Sequence, residues 1–184
     1  MGIYSGMGDT GDTTGPSGQT VRKTHPAVGA MGGLDELSAH LGWALAAGGE
    51  LGRELDRELA DVQAVLLGLG AQIAFPRTSA PMRWHDQARA LEGRIDSVSS
   101  GLPPLSQFLL ARGSELSCRL HVARTVCRRA ERMLVGALDA GVEVPEGALA
   151  YLNRLGDLLF VLARRANQVA GIGDIGWDGQ PPRK

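Results

Sequence analysis

The chain has 184 residues, a formal net charge of −1 and 43% hydrophobic residues. This length suits one domain whose core is large enough to fold without disulfide bonds. The near-neutral charge gives no indication of a nucleic-acid or anionic membrane partner. Aromatic residues make up only 4% of the chain, so Leu, Val and Ala must build the core, which favours packed helices over sheets.

Targeting and redox signals point to the cytoplasm. The first residues lack a basic segment followed by an apolar run, so no signal peptide is evident. The longest apolar stretch, 65–75, is too short to span a bilayer and is interrupted by two glycines and a glutamine. Cys118 and Cys127 lie nine residues apart in one helical pattern. They therefore point to opposite sides of a helix and cannot form a disulfide with each other.

The N-terminal segment, 1–33, is rich in glycine and shows no helical or strand periodicity, which predicts a flexible loop. It contains Gly8, Asp9, Gly11 and Thr13, which are followed by Lys23. Glycines let backbone N–H groups approach phosphates closely, and Thr and Lys add donors. The spacing of a Walker A loop is absent. From these residues alone, phosphate binding and plain disorder both remain open.

Beyond the loop, five segments carry apolar residues at helical spacing. The predicted helices span 34–45, 51–73, 82–98, 114–140 and 145–170. Ser114 is the predicted N-cap of the fourth helix, Gly141 follows its end, and Pro145 opens the fifth. The Gly/Pro-rich tail, 172–184, is expected to be loosely held. Short connections between five helices predict an all-α bundle over 34–171.

The fourth helix carries the most informative pattern. His121, Arg124, Arg128 and Glu131 fall on one face of a helical wheel. The two arginines are one turn apart, and like charges at that spacing repel unless an anion or carboxylate lies between them. A polyphosphate would accept the forked donors of both guanidinium groups. The alternative is a solvated charged face on which Glu131 pairs locally.

Three further residues have two interpretations each. Asn153, on the fifth helix, could hydrogen-bond a ribose or base, or could simply face solvent. Asp35 opens the first predicted helix, where it could complement the helix dipole or pair with an arginine. Phe108, in the loop before the fourth helix, could plug the core or pack against a flat cofactor.

Several ordered motifs resemble the PduO-type ATP:cob(I)alamin adenosyltransferases over nearly the whole chain. The start I-Y-S-G-M-G-D-T-G-D-T is similar to the family's first motif, and H-V-A-R-T-V-C-R-R-A-E-R matches its signature helix. The segments that carry the resemblance are 3–13, 23–26, 31–37, 121–132, 153–160 and 163–167. Ordered motifs at family spacing are far more specific than any one motif alone.

The resemblance implies a fold and an activity. The fold would be a five-helix bundle with ferritin-like up-and-down packing, assembled as a homotrimer with active sites between subunits. The reaction would transfer the 5′-deoxyadenosyl group of ATP to the cobalt of cob(I)alamin and release triphosphate. Mg²⁺ would bind through the ATP phosphates without a clear set of protein ligands. A flavoprotein reductase and an adenosylcobalamin-dependent enzyme are the implied protein partners, with no nucleic acid and no membrane.

The resemblance also implies which residues form the site. Arg128, Asp35, Arg124 and Phe108 would be the catalytic set. Asp35 would pair with Arg124 across the subunit interface beside cobalamin, and Phe108 would pack where the lower axial base of cobalamin would sit. The implied ATP-binding residues are Ser5, Gly8, Asp9, Gly11, Thr13, Lys23, Arg128, Glu131 and Asn153.

The chain departs from the family pattern at a few positions. Gly6 and Met7 stand where the family has a cation before its Gly-Asp motif, and Ala111-Arg112 replaces the usual Pro-Gly. The lost cation is expected to weaken ATP binding. These departures motivate a second hypothesis, a non-catalytic cobalamin or nucleotide binder of the same fold. A third hypothesis is a structural helix bundle with solvated charged faces.

Overall fold

The structure is a computed structural model that describes residues 4 and 6–179. Within these residues the chain is mostly helical, with five α-helices and one two-stranded sheet. The helices are α1 (Pro26–Leu45), α2 (Gly49–Ala74), α3 (Trp84–Ser99), α4 (Glu115–Asp139) and α5 (Ala148–Val169). The strands are β1 (Asp12–Thr14) and β2 (Thr20–Arg22). The prediction of a mostly helical chain with five helices is confirmed.

The first helix begins at Pro26, whereas the sequence pattern placed its start at Leu34. The side chain of His25 caps this end by accepting a hydrogen bond from the backbone N–H of Ala27 at 3.2 Å, and proline suits the first helical position. Gly33 does not break the helix, because it lies against α4. A Cβ atom added there would meet the Met133 sulfur at 3.0 Å. The predicted loop over 1–33 is therefore wrong for its last eight residues, 26–33.

A short hairpin occupies part of the same N-terminal segment. β1 and β2 pair antiparallel, with Thr13 opposite Val21. Gly15 is required in the turn region, because a Cβ atom there would lie 2.5 Å from a Val21 methyl carbon. Strands of three residues are too short to show the two-residue alternation that identifies a strand in a sequence.

The bundle is organised around α4, which packs between α1 and α5, while α2 covers α1 and α3 covers α5. Side-chain contacts give the directions. Arg129 of α4 pairs with Glu36 near the middle of α1, and Arg119 reaches the carbonyl of Trp43 near its end, so α1 and α4 are antiparallel. The core consists of leucines and alanines on the facing stripes. Its fully buried members include Leu37, Leu41, Leu59, Leu120, Ala123, Leu134, Leu155 and Leu159.

The fourth helix agrees with its predicted ends, and the fifth does not. The Ser114 side chain caps α4 by accepting from the backbone N–H of Ser117, and Gly141 follows with a φ of 81°. The fifth helix begins at Ala148 rather than at Pro145. Gly147, with a φ of 85°, lies between them in the left-handed region. That turn interrupts the helical path, so Pro145 is not at the first helical position.

The described part of the tail, 172–179, pairs with the loop 103–113 that precedes α4. The backbone N–H of Leu110 donates to the carbonyl of Ile175, and that of Trp177 donates to the carbonyl of Phe108, each at 2.8 Å. Together these two segments are called the flap below. The expectation of a loosely held tail is wrong for residues 172–179, because backbone hydrogen bonds fasten them to a segment distant in the sequence.

Two further expectations concern thiols and membranes. Cys118 and Cys127 are both free, as the helical geometry predicts. Among residues 4 and 6–179, no helix combines the length and apolar character needed to cross a membrane.

Candidate functional site

The candidate site follows the line along which α4 and α5 face each other, called the seam below. The two helices run antiparallel. At one end, Asn153 of α5 contacts Glu131 of α4. At the other end, Asn167 of α5 holds the backbone of Ser114. Asn153 and Asn167 are fourteen positions apart, which corresponds to roughly 21 Å at the rise of an α-helix.

Arg124 and Arg128 lie on the seam, as the helical wheel predicts. Arg124 is partly buried, and its guanidinium carbon lies 6.0 Å from the centre of the Phe160 ring. Its buried Nε atom has no hydrogen-bond partner among the described residues. Burial, and next the positive charge of Arg128, lower the pKa of Arg124. Polar atoms buried in this way normally have partners, so an acceptor such as an anion would be expected here.

No carboxylate supplies that anion within the described part of the chain. None lies within the 4.0 Å of a salt bridge from either seam arginine. Glu131 accepts a hydrogen bond from the Asn153 amide at 3.2 Å instead of pairing with an arginine. The alternative in which Glu131 neutralises its own helix face is therefore not what the structure contains.

The polar end of the seam includes a residue that the sequence patterns did not single out. Arg154 donates to the Asn153 side-chain oxygen at 2.7 Å, and to Glu92 of α3 at 2.8 Å. Because the Asn153 oxygen accepts from Arg154, its NH₂ group faces Glu131. Arg154 thus orients the amide that was predicted to contact the nucleotide. The available sequence signal for Arg154 was its position within the segment 153–160, which carries part of the family resemblance.

The N-terminal loop brings together several of the predicted phosphate ligands. The Lys23 ammonium lies beside Gly8, 3.2 Å from where a Cβ atom would be. Gly11 has a φ of 90° and sits under the Arg22 guanidinium, which bonds the Thr10 carbonyl at 2.9 Å. The positive φ favours glycine at this position. Arg22 is a second cation of the loop that sequence reasoning missed.

The remaining ATP-site predictions in this segment are placed as follows. Asp9 is exposed, Thr13 lies on β1 opposite Val21, and Ser5 falls outside the described residues. No hydrogen bond or ion pair among residues 4 and 6–179 joins the predicted phosphate ligands of the loop to Arg128.

Asp35 is exposed on α1 and forms no salt bridge within the described residues. Its neighbour Glu36 pairs with Arg129 of α4 instead. Asp35 is thus available to a group outside its own chain. Its pairing with Arg124 across an interface stays a prediction.

Phe108 lies on the flap and is 78% exposed, so it does not plug the core. Its ring centre is 6.3 Å from that of Trp177. The two rings line an open, mainly apolar depression of about 510 Å³. Exposed aromatic side chains grouped in this way mark a binding surface. Sequence reasoning identified Phe108 but missed Trp177, which lies in the tail that was expected to be loose.

His121 lies between the arginines and the flap. Its ring is buried and 6.1 Å from that of Phe160, and its Nδ1 atom has no described partner. Burial and the charge of Arg124 lower the pKa of His121, although Asp174 opposes them. The imidazole is therefore neutral at neutral pH, and the positive charge of the seam belongs to its arginines.

The sequence model of the cobalamin adenosyltransferase family matches residues 3–166. The chain belongs to this family. The corrinoid adenosyltransferase of Mycobacterium bovis is 42% identical over 187 residues, which covers 95% of this chain and 92% of that protein. The corrinoid adenosyltransferase PduO of Citrobacter freundii is 41% identical over 169 residues. That match covers 89% of this chain but 49% of the relative, so the chain spans about half the length of that PduO protein.

Solved structures of the family have the same fold. One is a phenylalanine-to-histidine variant of the PduO-type ATP:corrinoid adenosyltransferase from Lactobacillus reuteri, complexed with cobalamin and ATP. It superposes with a TM-score of 0.91 at 31% identity, and the match covers 98% of each chain. An arginine-to-lysine variant of the enzyme, complexed with ATP, gives a TM-score of 0.88 at 32% identity.

Proposed function

We propose that the chain is an ATP:cob(I)alamin adenosyltransferase, which moves the 5′-deoxyadenosyl group of ATP to the cobalt of cob(I)alamin and releases triphosphate. Membership of the cobalamin adenosyltransferase family supports this reaction. So do the family structures complexed with cobalamin and ATP. The observation that carries the proposal is the pair of seam arginines, which lack any carboxylate partner among the described residues.

Arg128 binds the triphosphate in this proposal. It is exposed on the seam next to Arg124, and a guanidinium offers two parallel donors to phosphate oxygens. Glu131 and Asn153 hold the nucleoside. The loop of a neighbouring subunit covers the phosphates through backbone N–H groups and side-chain donors. That loop contributes Ser5, Gly8, Asp9, Gly11, Thr13 and Lys23.

Mg²⁺ would be held mainly by the phosphates. Among the described residues, no group of three or more His, Cys, Asp or Glu side chains could hold a metal ion. Asp9 is exposed in the loop, and Mg²⁺ in nucleotide sites usually binds one or two carboxylates together with substrate phosphates. These donors fit a phosphate-bound Mg²⁺, which would neutralise part of the triphosphate charge.

The corrin lies toward the flap in this arrangement. Asp35 of a neighbouring subunit pairs with Arg124 and fixes the corrin edge. Phe108, together with Trp177, takes the place of the lower axial base and excludes water from that face of the ring. This sharing of residues between chains requires an oligomer, and the ferritin-like homotrimer that the family resemblance implies would provide it.

The chemistry is a displacement at carbon. The cobalt lone pair of cob(I)alamin forms a bond to C5′ of ATP, the C5′–O bond breaks, and triphosphate leaves with that electron pair. No proton is transferred in this step, so the protein needs no general acid or base. It has to align cobalt with C5′ and stabilise the developing charge of the leaving group. A flavoprotein reductase would supply the electrons that reduce the cobalt of cobalamin to the Co(I) state.

An Arg128→Ala variant tests the proposal. The assay mixes protein, ATP and chemically reduced cob(I)alamin, and follows adenosylcobalamin formation by absorbance. Loss of a charge-stabilising donor is expected to reduce turnover about 10²- to 10³-fold, with an unchanged circular dichroism spectrum. Arg89→Ala, which removes an exposed arginine of α3 that pairs with Asp86, is the matched control and should keep parental activity.

Other outcomes would favour the competing hypotheses. Binding of ATP and cobalamin by the parent without adenosylcobalamin formation would identify a non-catalytic binder. A melting temperature that ATP does not raise at concentrations near millimolar would support a structural bundle instead. Parental turnover in Arg128→Ala would contradict the assigned phosphate role.

A further inference from the structure

The 163–167 motif of α5 has no part in the nucleotide chemistry proposed above. Arg164, within it, is only 7% exposed. Burying a guanidinium is costly unless its donors are well paired. The Arg164 Nε donates to Asp174 of the tail at 2.8 Å, and its Nη2 donates to the Pro103 carbonyl at 2.6 Å. One buried side chain of α5 thus holds both segments of the flap.

Asn167 lies one turn further along α5 and fastens the other end of the loop. Its oxygen accepts from the backbone N–H of Ser114, and its NH₂ group donates to the Arg112 carbonyl, each at 2.9 Å. The loop 103–113 is therefore tied to α5 near both of its ends. The tail 172–179 is tied to α5 through Asp174 and to the loop through backbone bonds.

The aromatic side chains of the flap are only partly packed against the rest of the chain. Phe108 is 78% exposed and Trp177 is 48% exposed. Most of the Phe108 side chain and about half of Trp177 lie outside the core, so the position of these rings depends strongly on the backbone that carries them. That backbone depends in turn on the anchors at Arg164 and Asn167. Preorganised apolar surface binds a rigid ligand better because less freedom is lost on binding.

We propose that Arg164 and Asp174 are positioning residues, which hold Trp177 beside Phe108 as a fixed apolar wall for one face of a flat macrocycle. This inference rests on the proposed function, in which that macrocycle is the corrin. Neither residue touches the ligand. Their effect reaches it through the tail backbone, so they govern the corrin half of the site and leave the nucleotide half unchanged.

The test compares Arg164→Lys with Arg165→Lys, a matched change at the next position of α5, where the side chain is exposed and bonds Gln168. Lysine keeps the charge but cannot offer the forked donors that reach two partners. For Arg164→Lys, KM for cob(I)alamin and Kd for cob(II)alamin should rise about tenfold or more. KM for ATP should stay within about twofold of the parent, and Arg165→Lys should match the parent throughout.

Hydrogen exchange supplies a readout that does not depend on activity. The backbone amides of Leu110 and Trp177 should lose protection in Arg164→Lys and keep it in Arg165→Lys. Asp174→Asn gives a second, milder variant should Arg164→Lys fold poorly. The double variant should cost less than the sum of the two single changes, because both act on one contact.

The proposed function and the positioning role of Arg164 are overturned by different results. A parent that forms no adenosylcobalamin overturns the proposed function, and the exchange and Kd comparisons then decide the role of Arg164 by themselves. An active parent, together with an Arg164→Lys variant that binds both cobalamin forms with parental affinity, overturns the positioning role alone. An equal weakening of ATP and cobalamin binding would show that Arg164 supports the fold in general, and this result would also overturn the positioning role.

Discussion

The two ends of the seam differ in how completely their buried polar groups are hydrogen-bonded within one chain. At the flap end, the buried Arg164 and Asn167 have partners for their polar groups, and the aromatic rings are placed by hydrogen bonds of the same chain. The other half of the seam, from Arg124 to the Glu131–Asn153 pair, is called the arginine end. There the buried Nε of Arg124 has no described partner. Leaving a buried donor unpaired costs free energy. Ser117 Oγ and His121 Nδ1, on α4 between the flap and Arg124, likewise have no described partner. The contrast is therefore between the flap anchors on α5, which are paired within the protomer, and the facing side of α4, which is not fully paired.

The largest expected effect tests whether the arginine end is shared between subunits. Arg124→Ala and Asp35→Ala should each lower turnover about 10²-fold, because each removes one side of the proposed interface pair. Co-expressed in one cell, the two variants should recover about one quarter of parental activity, since that fraction of sites in randomly mixed oligomers has both residues intact. Turnover of purified mixed oligomers measures this. No recovery would place both residues in a single subunit's site.

A smaller effect tests whether the flap end is complete within the chain. Gly113 has a φ of 132°, and a Cβ atom there would lie 2.0 Å from the Asn167 oxygen. Gly113→Ala should therefore lower the free energy of unfolding by about 2 kcal/mol through backbone strain and disturbed hydrogen bonds. Urea denaturation measures it. Gly136→Ala, in the last turn of α4 with nothing within 4 Å, is the control and should stabilise slightly, by at most about 0.5 kcal/mol.

A third prediction tests whether Arg154 orients Asn153 at the polar end of the seam. Arg154→Gln should raise KM for ATP roughly three- to tenfold, because the Asn153 amide loses the partner that fixes its orientation. KM for cob(I)alamin should change little. Steady-state kinetics with each substrate varied in turn measure the difference, and Arg89→Gln is the control. An equal rise in both KM values would show that Arg154 supports the fold rather than the nucleotide site.

The smallest effect concerns pH at the centre of the seam. The pKa of His121 in the folded chain lies below its ordinary value of 6.5, because the ring is buried and faces Arg124, with Asp174 opposing. The unfolded chain therefore takes up this proton at higher pH than the folded chain does. The stability contributed by neutral His121 is complete above about pH 6.5 and is lost as the pH falls below it. Melting curves between about pH 5 and 8 should show a weaker pH dependence for His121→Gln. Identical slopes would contradict the assignment.

Local patterns predicted the parts of the molecule that local spacing controls. The periodic leucines gave the existence of each helix, and the wheel placed Arg124, Arg128 and Glu131 on one face. The early start of α1 was missed because residues 26–33, which include three glycines, were grouped with the glycine-rich loop; one of these glycines is Gly33. It is in fact the residue that lets α1 approach Ala130 and Met133 closely. Glycine disfavours an isolated helix but is required where two helices touch.

Contacts between distant parts of the chain could not be predicted from local sequence patterns. Phe108 and Trp177 meet through backbone pairing of two irregular segments, and no periodicity links those segments. The same holds for Arg154 and Glu92, which join α5 to α3. Motif resemblance supplied candidate roles for single residues, while these pairings needed the folded chain.

The fastening of the tail to α5 bears on how shortened or fused versions of the protein should be designed. A chain cut after Gly171 would lack Asp174, and the carboxylate that Arg164 binds in its buried site would be gone. The sequence alone gives no warning of this effect, which leaves the buried Arg164 guanidinium without its carboxylate partner. Affinity tags and truncations at this terminus should therefore leave at least Asp174 and Trp177 in place.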